Sequence, residues 1–176
     1  MSPAAAFLLG ATAVAAMQKA LDSSADWTME RRLPGSSRAL VSSGEVHCTA
    51  GGGIFWQVLK PFVSSVAMTT NAMVFTDEDG RRVKPLAELP HYDDIRRATD
   101  RFAVGETNAF DGVFTVRETA LAAGGWRLEL TPEVSAMRRL FTAVELTGAA
   151  LPTNAVLTTG DGCTTVIRFR ERPRVR

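Results

Sequence analysis

Apolar residues at every second position, in short runs broken by glycine and proline, constrain this chain more than any other feature. Trp126, Leu128 and Leu130 alternate with Arg127, Glu129 and Thr131, and Val46 and Cys48 alternate with Glu45, His47 and Thr49. A period of two is that of a strand with one buried face. After Thr49, the triplet Gly51-Gly52-Gly53 breaks the pattern. Glycine tolerates the backbone angles of a tight reversal. Residues 54–60 then resume with β-branched and aromatic side chains, and Pro61 ends the run because it cannot donate to a sheet ladder. The stretch 44–62 therefore predicts a β-hairpin with aromatic residues just past its turn.

The same reading extends along the chain. Trp27, Met29 and Leu33 alternate with Thr28, Glu30 and Arg32 as a first strand, closed by a turn at Pro34-Gly35-Ser36-Ser37. Strands are predicted over 63–70, 72–76, 113–118, 126–131, 140–147, 154–159 and 163–170. Turns fall at Asp77-Glu78-Asp79-Gly80, Gly124-Gly125 and Gly160-Asp161-Gly162, a linker at 85–90, and a short helical turn from Pro132 to Arg139. Between Asp93-Asp94 and Gly105, the spacing of Ile95, Ala98 and Phe102 predicts one amphipathic helix. A near-meander of ten or eleven strands points to one wide antiparallel sheet. Such a sheet must curl or be covered. The fold class is thus mainly β: a curved sheet or incomplete antiparallel barrel covered by helices.

At 176 residues the chain is a single domain, and 20 basic against 19 acidic residues leave a net charge of +1. No charge excess draws it to nucleic acid or to an anionic surface. Residues 1–16 are small and apolar. They read as a secretory signal without the usual preceding cation, or as a helix continuing through Met17 and Leu21 to near Ser23. The body then spans 17–170 and a basic tail 171–176. Cys48 and Cys163 read either as a disulfide between an early strand and the last one, in an oxidising compartment, or as two buried thiols.

Motifs for catalysis are lacking. The triple glycine is followed by no Lys-Ser/Thr, no nucleophile elbow occurs, and no Cys/His spacing suits zinc. His47 sits on the polar side of its strand and His91 in the linker; either would need a nucleophile and a carboxylate from elsewhere. The expectation is a non-enzyme without metal or cofactor.

Gly44, Trp56, Lys60-Pro61, the first-strand run Trp27-Thr28-Met29-Glu30, the lead-in 40–44 and the step Leu130-Thr131-Pro132 together resemble the periplasmic lipoprotein carrier family, the LolA-like proteins, over about 27–169. The resemblance implies a half-barrel whose apolar concave face binds acyl chains. Such a protein accepts a lipid, acyl ester or lipoprotein from an inner-membrane exporter and passes it to an outer-membrane acceptor. On that reading Trp27, Met29, Trp56, Val58, Met68, Phe75, Trp126, Leu128, Leu130 and Val144 line the cavity, and Ile95 and Phe102 belong to a lid. Counted from Gly44 and Trp56, Ala50 stands where the family's carriers have an arginine that latches the lid. The resemblance therefore implies a lipid or acyl-ester carrier ahead of a lipoprotein carrier proper. A non-transporting interaction module is the alternative, and a hydrolase a more distant one.

Overall fold

The computed structural model describes residues 23–49, 53–69, 71–88 and 110–172, together with 13, 16, 19, 20 and 93. Eleven strands form one sheet: β1 (Ser24–Arg32), β2 (Ala39–Cys48), β3 (Ile54–Lys60), β4 (Ser64–Met68), β5 (Ala72–Asp77), β6 (Gly80–Pro85), β7 (Phe114–Ala120), β8 (Trp126–Pro132), β9 (Ala143–Gly148), β10 (Pro152–Thr158) and β11 (Thr164–Glu171). Their order is β6-β5-β4-β3-β2-β1-β11-β10-β9-β8-β7. Every pairing is antiparallel. Two meanders, β1 to β6 and β7 to β11, are thus zipped together where β1 pairs with β11. The outermost strands, β6 and β7, do not pair with each other, so the sheet is open.

The sheet is also curled. Trp56 on β3 and Phe169 on β11 meet edge to face with ring centroids 6.2 Å apart. Three strand spacings separate β3 from β11, about 14 Å across a flat sheet. The rings touch because the surface between them is concave.

Cross-strand register divides the residues cleanly between the two faces. Trp27 stands opposite both Gly44 and Phe169, Trp56 opposite Val46 and Val66, Leu128 opposite Leu146, and Leu130 opposite Val144. These share the concave face. The convex face carries a ladder of cross-strand ion pairs: Arg168 with Glu30 at 2.7 Å, Arg170 with Asp26 at 2.9 Å, and Arg172 with Asp26 and Glu45, each at 2.8 Å. The guanidinium of Arg170 hydrogen-bonds Asp26 and that of Arg168 hydrogen-bonds Glu30, holding both carboxyls below their usual range. Exposed pairs of this kind stabilise little individually. They do disfavour a one-residue slip, which would turn every charge inward.

Two tryptophans anchor the concave face in the same way. Trp27 and Trp126 are each 1% exposed, and each lies against a glycine of the neighbouring strand, Gly44 and Gly148 respectively. A methyl added at Gly44 would lie 2.8 Å from Trp27 Cζ2 and collide with the Gln57 carbonyl; one at Gly148 would lie 2.8 Å from Trp126 Cζ2 and collide with the Leu151 carbonyl. On the β7–β9 side, Trp126, Leu128 and Leu130 form the core cluster with Ala13 and Ala16, which are helical and 0% and 4% exposed.

Several expectations change. Residues 80–85 form β6, an edge strand unread in the sequence because all six residues are exposed and Val83 is its only large aliphatic side chain. Pro132 closes β8 instead of opening the helical turn, which is α1 (Ser135–Leu140). Leu140 therefore ends that helix, and β9 begins only at Ala143. Within the predicted linker Leu86 is buried, and its N–H donates to the Asn71 carbonyl at 2.9 Å. Among the described residues α1 is the one α-helix whose whole span is traced. The covering helices are thus less in evidence than the sheet.

The last hairpin turn is held by Asp161. It accepts hydrogen bonds from the Thr159 hydroxyl and, at 3.1 Å, from the Cys163 backbone N–H. The Thr159 contact first, then those from Cys163, hold its carboxyl at about 2, against an ordinary 3.8.

Two outcomes are expected. Gly44→Ala and Gly148→Ala should each lose about 3 kcal/mol or more in chemical denaturation, because a backbone oxygen cannot give way as a side chain can. Asp161 contributes stability while ionised in the fold. That contribution is complete above its unfolded value near 3.8 and is lost as pH falls through about 2. Asp161→Asn should flatten the acid limb of the stability curve in that window; an unchanged limb would show that the turn contacts are inert.

Candidate functional site

At the end of the sheet where β1 and β3 begin and β2 and β11 finish, the concave face holds a cavity of about 450 Å³. Such a volume suits one small-molecule ligand. Its floor is Ala25 on β1, Val46 and Cys48 on β2, Ile54 and Trp56 on β3, and Phe169 on β11. Its far wall is the β9–β10 turn, residues 149–151, with the first two residues of β10, and its rim includes Ala20, Ser23, Ser24 and Glu171. Strand alternation places the floor residues: Val46 pairs with Ala25 and Trp56, and Cys48 with Ile54. The turn is brought across by Trp126, whose Nε1 donates to the Ala149 carbonyl at 2.7 Å.

An aromatic stack backs the cavity. Trp27 lies on Trp56 with centroids 4.6 Å apart and an interplanar angle of 24°, and Trp56 in turn meets the edge of Phe169. The Nε1 of Trp27 is buried and has no hydrogen-bond partner among the described residues.

Register puts all ten residues expected to line a cavity on the concave face, but the cavity wall takes only Trp56 from among them. Trp27 lies behind Trp56. Met29 stands one pair further along β1, opposite Ile167, and Val58 stands opposite Gly44. Met68 pairs with Ile54 and Phe75 with Val66, toward the β6 edge. Trp126, Leu128, Leu130 and Val144 lie on the other half of the face, where Ala13 and Ala16 fill the space above them. The wall residues missed fall into two kinds. Val46, Ile54 and Phe169 carry the alternation and could have been found from it. Leu151 belongs to a turn, which no periodicity reports, and Pro152 opens β10, where proline gives no strand signal. Ile95, Phe102, Ala50 and His91 lie outside the described residues.

The disulfide reading is overturned. Both cysteines are free, Cys163 buried and Cys48 half-buried. The Cys48 N–H donates to the Ser23 carbonyl before β1 begins, whereas Thr164, next to Cys163, pairs with Arg32 where β1 ends. The length of β1, about 30 Å, lies between them. A disulfide needs Cα atoms within about 7 Å. The Cys163 thiol instead donates to Asp161 Oδ2 at 3.3 Å.

One polar grouping adjoins the rim. Ser24 Oγ lies 2.8 Å from His47 Nδ1, and His47 Nε2 lies 3.4 Å from Glu45 Oε2. The order is that of a serine–histidine–carboxylate relay. The same Glu45 oxygen, however, is held by Arg172 at 2.8 Å. That makes the trio an end of the convex ion-pair ladder. No grouping of His, Cys, Asp and Glu among the described residues would hold a metal. No helix among them is long and apolar enough to cross a membrane.

No protein-family model matches the chain, and no curated protein does. Solved structures similar to it include the LolA superfamily protein NE2245 from Nitrosomonas europaea, at 11% identity over 94% of this chain and 95% of that one, with a TM-score of 0.43. LprF from Mycobacterium bovis is 13% identical over 99% and 96%, with a TM-score of 0.43. MucB is 13% identical over 99% of this chain but only 60% of its own, with a TM-score of 0.48. At these values the likeness is one of fold alone.

Burial pushes the Cys48 thiol above its ordinary range. In a Cys163→Ala background, Cys48 should therefore react with a maleimide many-fold more slowly than free cysteine at pH 7.5. Both thiols should titrate with Ellman's reagent once the chain is unfolded, without prior reduction. A single oxidised pair would contradict the arrangement described.

Proposed function

We propose that this protein is a non-catalytic carrier that binds an acyl chain in the concave-face cavity. In this reading it works in the periplasm, between an inner-membrane exporter and an outer-membrane acceptor. Its cargo is a lipid or acyl ester first and a lipoprotein second. The observation that supports it is the apolar cavity of about 450 Å³ against the Trp27–Trp56–Phe169 stack. Each buried methylene contributes about 0.8 kcal/mol, so twelve contribute about 10 kcal/mol before association costs of about 4 kcal/mol or more. What remains is an affinity in the range of tens of micromolar without any polar contact, adequate for a ligand that must be released again.

The two halves of the concave face then have different roles. Ala13 and Ala16 are buried against Trp126, Leu128 and Leu130, which supports a cover over that half. The other half stays hollow. The exposed edge strand β6 favours the alternative of an interaction module, since an open edge can accept a partner's strand. The Ser24–His47–Glu45 row is the one feature that favours a hydrolase.

One experiment separates these readings. The uncharged fluorophore N-phenyl-1-naphthylamine should bind the purified protein and be displaced by methyl dodecanoate, which should be recovered intact by mass spectrometry. Trp56→Ala and Leu151→Arg should each weaken displacement at least ten-fold while the far-ultraviolet circular dichroism is retained. Absence of uptake would sink the carrier reading and leave the β6 edge. Hydrolysed ester, lost on Ser24→Ala, would establish the enzyme.

A further inference from the structure

We propose that the cavity selects its ligand's head group: it admits a chain ending in an ester, amide or alcohol and turns away one ending in a free carboxylate or phosphate. This rests on the acyl-chain reading of the same cavity and names the class of acyl compound it accepts.

The wall carries one charged residue, Glu171, and no lysine, arginine or histidine among the described residues. Glu171 is flanked in sequence by Arg170 and Arg172, whose charges would offset its own if they shared its face. The strand forbids this. Successive side chains of β11 point to opposite faces. Glu171, opposite Ala25, faces the cavity, while Arg170 turns to Asp26 on the convex side. Arg172 is spent on Asp26 and Glu45. Among the described residues Glu171 has no ion-pair partner.

The hydroxyls at the rim do not supply the missing donors. The Ser23 hydroxyl donates to the Ala20 carbonyl at 2.7 Å, and that of Thr153 donates to the Thr147 carbonyl at 3.3 Å. Ser24 Oγ is held by His47 Nδ1. What the rim offers an incoming head group is acceptor lone pairs and a carboxylate. An anion there would find no side-chain cation among the described residues and would face a like charge. An ester sheds far less hydration, and an alcohol can donate to the acceptors present.

The test uses ligands that share one chain and differ in head group: methyl dodecanoate, dodecanol, dodecanoate and dodecyl phosphate. Each is titrated at pH 8, below its aggregation threshold, against N-phenyl-1-naphthylamine bound to the full chain. The ester and the alcohol should displace the probe at concentrations at least ten-fold lower than either anion. Glu171→Gln should narrow that ratio to below about three-fold, and Glu171→Lys should invert it. Ester and carboxylate competing within two-fold of each other in the native chain, or a ratio untouched by both substitutions, would overturn the selectivity and leave the carrier reading standing. Failure of all four ligands to displace the probe would overturn the carrier reading, and the selectivity with it.

Discussion

Everything in this fold that could serve a ligand depends on two indole rings lying flat over glycines. Trp27 covers Gly44 and Trp126 covers Gly148, each across an antiparallel pair. A side chain at either glycine would lift the ring off the sheet. With glycine there, each ring packs against bare backbone and the neighbouring strands bend around it. A regular flat sheet has no reason to bring β3 within reach of β11. This one does: Trp27 stacks on Trp56, and Trp56 meets the edge of Phe169.

The two anchors lead to different outcomes. Around Trp126 the indole N–H is satisfied by the Ala149 carbonyl, and Ala13 and Ala16 complete a buried cluster with Leu128 and Leu130. Around Trp27 the indole N–H has no partner among the described residues, and the stack borders a hollow. Small side chains make the difference on both sides. Alanines let a helix approach closely over Trp126, whereas Ala25, Ala149 and Ala150 leave the other end unfilled. Among the described residues the sheet thus has a packed half and a half that borders a cavity. The convex ladder of ion pairs keeps the register that sorts residues to the correct side.

The chemistry legible in the sequence was the alternation, and it proved a good guide to sides and a poor one to depth. All ten residues chosen for a cavity do share the concave face, because period two fixes the face once the strand is known. Whether a residue on that face borders a void depends on what lies above it, and for Leu128 and Leu130 that is Ala13 and Ala16, more than a hundred positions away in the chain. The β6 strand escaped notice because an edge strand with both faces wet has no apolar signature. For the cysteines the sequence leaves a disulfide and two separate thiols equally open. Cys48 ends β2 and Cys163 just precedes β11, and β1 separates them by its full length.

The amino-acid sequence by itself determined that this chain forms a meander of half-buried strands with a greasy face and a charged one. Local spacing and turn chemistry suffice for that. Only the tertiary structure decided where the grease meets grease and where it meets space. That outcome turns on the zipping of β1 to β11 and on the β9–β10 turn reaching across the Trp56 end. Contacts made over such sequence distances leave no mark on local pattern.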